Sequence, residues 1–374
     1  MNPDQQVSPG LRRISIGLLL LCLAACLPAS AQLLPSDPDP LARIREAAKS
    51  NVQACSATGE TLCEQVAPKI IANAQSDSPL AGNLRRLSKD EKGHKTRASK
   101  EAAAIAWAVA ALQDAGVDAH TEKYMDPHGG ATEQENVVAE FRGRENPEDW
   151  VLLGTHLGPK EHGDWAIDYS CDAATVIEAA RDISLTGIHP RRSIRFVLFT
   201  GDARDMTGSW AYVRSHRSEL DHARAAIVLR SDCRRVTSYL LNGRPEIESG
   251  VRDAMKPIQS FRADHFAFRA LEETESFDFL LEGIPALTAF PVPTTITLDG
   301  PVPVREPVNI ADLKRNAAIV AVTAFGIAES AASLGPRQSR TEIETLIRTW
   351  DLESHMKTTG LWPLWESGER GRIP

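Results

Sequence analysis

Between Arg192 and Val213 the chain reads RSIRFVLFTGDARDMTGSWAYV, a stretch that few architectures can hold. Ser193–Phe199 is a short apolar run of the kind buried inside a parallel sheet. It breaks at Thr200-Gly201-Asp202-Ala203, and a helix begins over Ser209–Ser215. A strand buried on both faces and followed by a helix calls for parallel neighbours and helical layers above and below. In open α/β sheets, chemistry sits in the crevice beyond the carboxyl ends of the strands. Thr200–Ala203 is therefore the first place to look for function.

The surrounding sequence repeats the pattern. Strands are expected at Asn136–Phe141, Trp150–Gly154, Ala225–Leu229, Val236–Leu241 and Ile284–Phe290, and helices at Ala173–Ile183 and Ile310–Ala332. The second helix places Leu313, Ala317, Val320, Ala324 and Ile327 on one face. Upstream, Arg97–Ala115 is alanine-rich and closed by Gly116, a strong helix signature. Leu41–Ala74 reads as helical with a break, Ser76–Lys95 as irregular and Lys123–Glu135 as loop. The expected fold is α/β: a three-layer α/β/α arrangement around a mixed, mainly parallel sheet, with helical N- and C-terminal extensions. Glu246–Glu275, with Phe261, Phe266 and Phe268, and the tryptophans Trp350, Trp362 and Trp365 either wall a pocket or pack as core.

The net charge of -8 at pH 7 and the lack of a long basic run exclude a general nucleic-acid binder. Residues 1–31 read as an export signal. Arg12-Arg13 precedes the apolar run Ile14–Leu27, and Ala29-Ser30-Ala31 is a small-residue cleavage pattern. Leu23-Ala24-Ala25-Cys26 also fits a bacterial lipobox, so a soluble and a lipid-anchored product both remain open. The expected location is the periplasm or cell envelope of a bacterium. An exported chain keeps disulfides, and Cys55 and Cys63 flank a turn that suits a local bridge.

Four polar residues fall at or just beyond the expected strand ends: His156, Asp168, Asp202 and Asp232. One imidazole with carboxylates is an ordinary zinc donor set, with metal–ligand distances of about 2.0–2.2 Å. Singly, each has a plainer reading as a loop residue or a helix cap. Together they lie on one side of the expected sheet.

The segments ENVVAEFRGRENPEDWVLLGTHLG, AIDYSCDAATVIEAARDI, RSIRFVLFTGDARDMTGSWAYV, EGIPALTAF and DLKRNAAIVAVTAFGIA, in this order, resemble metallopeptidase family 28, the zinc aminopeptidase and plasma glutamate carboxypeptidase-like enzymes. The resemblance implies a zinc-exopeptidase fold over residues 96–335. A linker and helical extension (32–95) would precede it, and a helical tail (336–374) would pack on it. It also implies a site with two zinc ions sharing an Asp, and a general-base Glu. Carried over, His156 and Asp232 are ligands of one metal, Asp168 is the bridging carboxylate, and Asp202 stands at the catalytic base. Short peptides or other small amides are the implied partners.

This chain departs from that pattern. The family's Glu-Glu pair is Asp202-Ala203, so the second metal loses a carboxylate. The C-terminal His ligand is missing near Leu298-Asp299. The Asp of an H-x-D motif is Gly158, which removes the group expected to orient His156. Ser170-Cys171-Asp172 replaces a small, Gly-containing turn. His162, Asp164 and Asp205 are further polar residues nearby. Cys171 and Cys233, beside Asp168 and Asp232, would come near the pocket, as a disulfide, as a thiolate ligand, or as plain buried cysteines. Two readings follow. One is an exported exopeptidase-type (aminopeptidase-like) hydrolase holding at most one divalent metal, zinc by preference. The other is an inactive descendant with no metal, keeping the fold to bind peptides or act as a scaffold.

Overall fold

The computed structural model describes residues 61–88, 97–128, 133–157, 166–202, 205–291 and 308–373. The export signal, the lipobox, Cys55 and the side chain of Cys63, and so the expected Cys55–Cys63 bridge, lie outside them. Among the described residues eight strands form one mixed sheet: β1 (Asp118–Met125), β2 (Glu133–Phe141), β3 (Asn146–His156), β4 (Arg192–Phe199), β5 (Ala223–Leu229), β6 (Ser238–Leu240), β7 (His265–Ala267) and β8 (Ala286–Phe290). Their spatial order is β1-β2-β4-β3-β5-β8-β6-β7. The central four, β4, β3, β5 and β8, run parallel. Strand β2 joins β4 and β6 joins β8 in antiparallel fashion.

The period-2 pattern of each central strand divides its side chains between two cores. Val151, Leu153, Ile194, Phe196, Leu198, Ala225, Ile227 and Leu287 face one cluster. Trp150, Leu152, Val197, Phe199, Ala226 and Ala286 face the other. The first is covered by α1 (Ala67–Gln75), α3 (Arg97–Asp114), α4 (Ala166–Ser184), α6 (Glu248–Met255) and α8 (Ile310–Glu329). Helix α2 (Leu80–Ser88) packs on α4 from outside. The second is covered by α5 (Thr207–Ser215), α7 (Ser276–Leu281) and the tail helices α9 (Arg340–Thr349), α10 (Leu352–Thr358) and α11 (Leu361–Ser367). Helix α8 is buried almost all round, so it reads as apolar on every face. Among the described residues no helix is long and apolar enough to cross a membrane.

Local signals explain the boundaries. Helix α3 ends where Gly116 takes φ +83° and its N–H bonds the Gln113 carbonyl at 2.9 Å. Helix α9 begins with a capping box in which Ser339 and Glu342 satisfy each other's backbone N–H groups. The tail is tied to the core by the buried pair Arg370–Asp278, at 2.7 Å. Trp365 is fully buried, while Trp350 and Trp362 pack against the same cluster. Phe261 is buried, and Phe266 and Phe268 pack on the opposite core. These aromatics fill core rather than wall a pocket.

Two expectations differ from the structure. Lys123–Glu135, read as loop, contributes the end of β1 and the start of β2. Strand β1 is an edge strand that buries only Ala119 and Tyr124, so it lacks the apolar alternation that marks a strand. Ser76–Lys95, read as irregular, contains α2. Its Leu80, Leu84 and Leu87 follow helical spacing, but Gly82 and its short length dilute the signal.

Candidate metal centre

The parallel register brings three strand ends to one edge. His156, the last residue of β3, stands beside Phe199, the last of β4. Thr155 Oγ1 donates to the Leu229 carbonyl at the end of β5 (2.9 Å), and the Leu157 N–H donates to the Phe199 carbonyl (2.6 Å). The backbones bearing His156, Asp202 and Asp232 therefore leave the sheet side by side.

His156 is 3% exposed. Its Nδ1 lies 3.3 Å from Glu275 Oε1, and Glu275, just before α7, is itself 5% exposed. Burial pushes the Glu275 carboxyl up, but the hydrogen bond and charge of His156 outweigh it. The net result lies below the usual carboxylate range.

Beyond β4 the chain is pinned by polar contacts. The Thr200 N–H donates to Asn136 Oδ1 (3.0 Å), and Thr200 Oγ1 donates to the Glu135 carbonyl (2.8 Å). Gly201 adopts φ +88°, and a Cβ there would meet Thr207 Oγ1 at 2.3 Å. Only glycine suits that position. The Asp202 N–H donates to Thr207 Oγ1 at 2.9 Å, which leaves Asp202 half-buried at the head of α5. Ala203 lies outside the described residues, as do Gly158, His162, Asp164, Leu298 and Asp299. Asp205 is described and is exposed, 3.6 Å from His128.

Asp232 is held by its backbone. Asp232 and Cys233 both take left-handed conformations, φ 49° and 62°, which cost on the order of 1–3 kcal/mol each unless the surroundings impose them. Two contacts impose them. Cys233 forms a disulfide with Cys171, on α4. Asp172, 1% exposed on the next position of α4, accepts bonds from the Ser231 N–H (2.9 Å), the Ser231 hydroxyl and the Asp232 N–H (3.4 Å). Burial, reinforced by the charge of Asp232, pushes the Asp172 carboxyl well above its ordinary range. The disulfide sits in an apolar nest of Leu80, Leu84, Ala174 and Leu313. The Asp232 carboxylate is 39% exposed and 3.3 Å from Arg234.

Asp168 lies in the first turn of α4, with its side chain outside the described residues. Among the described residues no three His, Cys, Asp or Glu side chains gather closely enough to hold a metal. The donors nevertheless fit one in chemistry. His156 has the carboxylate-backed Nδ1 that metal-ligating histidines use to fix their tautomer. Among the described residues the Asp232 carboxylate has only an exposed ion-pair partner, and such pairs are worth about 0–1 kcal/mol. A chain using His156, Asp168 and Asp232 would offer three protein ligands, the set of an open catalytic site.

Two residues of this region escaped the sequence reading. Glu275 sits in the acidic run EETES and has no motif around it. Asp172 had a signal, since Ser170-Cys171-Asp172 replaces a small, Gly-containing turn, but its role shows only once Ser231 is folded onto it.

Known proteins similar to this chain share one family. The sequence model of peptidase family M28 matches residues 136–310. This segment, just under half of the chain, is similar to peptidase family M28. Carboxypeptidase Q of Xenopus laevis is 26% identical over 160 residues, which cover 41% of this chain and 33% of the relative. The chain thus spans about a third of the length of the curated relatives it matches first. Among solved structures, Macrostomum lignano glutaminyl cyclase aligns with a TM-score of 0.51 at 16% identity, covering 79% of this chain and 95% of that one. Legionella pneumophila LapA aminopeptidase aligns with a TM-score of 0.50 at 12% identity, covering 77% and 76%. At such identities the likeness concerns the fold. The M28 segment contains His156, Asp168, Asp202, Asp232 and Glu275, so every residue named at the site is borne by it.

Proposed function

We propose that this chain is an exported metallo-exopeptidase of the M28 type, aminopeptidase-like, that releases a terminal residue from short peptides with at most one divalent metal. His156, Asp168 and Asp232 would hold the ion, and imidazole with carboxylates favours zinc. When bound, the metal supplies Lewis acidity toward a carbonyl oxygen. Asp202 accepts the proton of the attacking water and returns it to the leaving amine. An Asp in place of Glu reaches roughly 1.5 Å less far, and misplacement by about 1 Å costs on the order of a hundredfold in rate, so slow turnover is expected. The observation that carries the reading is the buried His156 ring, held through Nδ1 by Glu275 at the edge where β3, β4 and β5 end.

The test is metal uptake by the purified protein after reconstitution with Zn2+ or Co2+, followed by a panel of aminoacyl chromogenic substrates. One equivalent of metal, lost in His156→Ala, is expected, with activity falling about 10²–10⁴-fold in Asp202→Ala. A protein that takes up no metal overturns the reading. A second reading, a peptide-binding descendant without catalysis, is favoured by the engagement of Asp232 with Arg234. It predicts peptide binding that is indifferent to chelators.

A further inference from the structure

The H-x-D pattern, in which an Asp two positions after the first His orients its ring, is broken here by Gly158. The tertiary structure brings another carboxylate to that ring. We infer that Glu275 is the positioning residue of His156, supplying from the N-terminal side of α7 a carboxylate in place of the one that Gly158 replaces. The inference rests on the reading of His156 as a metal ligand.

Glu275 can do this only if it is fixed, and the turn that carries it is tied from three directions. Arg230, the residue after β5, donates through Nη1 to the Glu273 carbonyl. Glu272, almost fully buried, pairs through Oε2 with His355 Nδ1 on tail helix α10, at 2.6 Å. On the far side, the Ser276 hydroxyl shares bonds with Thr274 (2.6 Å) and Thr288 on β8 (2.7 Å), and receives one from Asn242 Nδ2 (3.0 Å). The backbone on either side of Glu275 is therefore anchored to β5, to β8 and to the C-terminal tail. A side chain so carried has little freedom to lose when it engages the His156 ring at 3.3 Å.

The chemistry follows from the geometry. A carboxylate at Nδ1 keeps the proton on that nitrogen, which makes Nε2 the basic one, and it holds the plane of the ring. In metal sites, losing such a partner weakens binding by about 10–100-fold. Glu275 touches no reacting atom in this account; it acts through His156.

The experiment uses the full chain in four forms: wild type, Glu275→Ala, the near-isosteric Glu275→Gln, and Glu273→Gln, an exposed carboxylate, as a neighbouring control. In metal-free protein, long-range 15N–1H correlation spectra report the His156 tautomer, with the signals assigned by their loss in His156→Asn. The inference expects the Nδ1–H form in wild type and in Glu273→Gln, and a tautomer mixture in Glu275→Ala. Zn2+ titration against a chelator is expected to show affinity about 10–100-fold lower in Glu275→Ala, an intermediate loss in Glu275→Gln, and no change in Glu273→Gln. An unchanged tautomer in a folded Glu275→Ala protein overturns the inference, as does Zn2+ affinity of that variant within twofold of wild type. If wild type binds no Zn2+, the proposed function fails, and the tautomer comparison alone decides the role of Glu275.

Discussion

His156 and Asp232 stand at neighbouring strand ends but are held in opposite ways. His156 ends a regular strand, is buried, and is fixed through its side chain by Glu275 from a distant turn. Asp232 sits in a turn with two consecutive left-handed residues, and its carboxylate is partly exposed. What is fixed there is the backbone, through the disulfide to Cys171 and the bonds to Asp172. One position is organised from its ring outward, the other from its main chain outward. Perturbing the supports should therefore separate the two: loss of Glu275 costs orientation, and loss of the α4 clamp costs stability.

The largest expected effect comes from that clamp. Replacing Cys171 and Cys233 together by Ser opens a link between residues 62 apart in sequence, and should lower stability by about 2–4 kcal/mol in urea unfolding. Zn2+ affinity should fall with it as the Asp232 turn relaxes. Unchanged stability would mean that the turn holds itself, and the contrast with His156 would collapse.

A pair of carboxyls on α4 sharpens the contrast further. Asp172 is buried with donors around it, whereas Asp182, further along the same helix, is buried with neither oxygen hydrogen-bonded. Burial and the nearby Glu178 push Asp182 up to about 9, against the pull of Arg181 and Lys314. A carboxyl with a raised folded-state value keeps its proton where the unfolded chain has lost it. Its contribution to stability is therefore fullest below about pH 4 and declines as pH rises toward about 9. Asp182→Asn should remove that decline and leave the protein no less stable at pH 8. Asp172→Ala should cost about 1–3 kcal/mol, because it strands the Ser231 donors. Thermal melts of both variants at pH 5 and pH 8 make the comparison.

The smallest effect is expected at the exposed side of the Asp232 turn. Arg234→Ala should change stability by under about 1 kcal/mol and should strengthen Zn2+ binding slightly by removing a competitor for the carboxylate. Calorimetric titration checks both. A marked loss of stability would show that Arg234 supports the turn.

Much of this organisation is local and so was legible in the chain itself. The apolar run of β4, its break at Gly201-Asp202, the repeated strand–helix alternation and the caps of α3 depend on residues close together in sequence, where periodicity and turn chemistry act. These sufficed to place His156, Asp202 and Asp232 at or beyond the carboxyl ends of strands, while the likeness to family M28 rested on the resemblance of whole segments. Edge elements were harder: β1 and α2 bury too little apolar surface to leave a periodic trace. The supports of the candidate centre were beyond any local rule. Glu275 meets His156, Cys171 meets Cys233, and Asp172 meets Ser231 only because the parallel register stacks β3, β4 and β5 and packs α4 and the α7 turn against their ends. Such pairings are set by where distant backbones cross, and a side chain's hydrogen-bond partner there is decided by the packing of the whole sheet rather than by its neighbours along the chain.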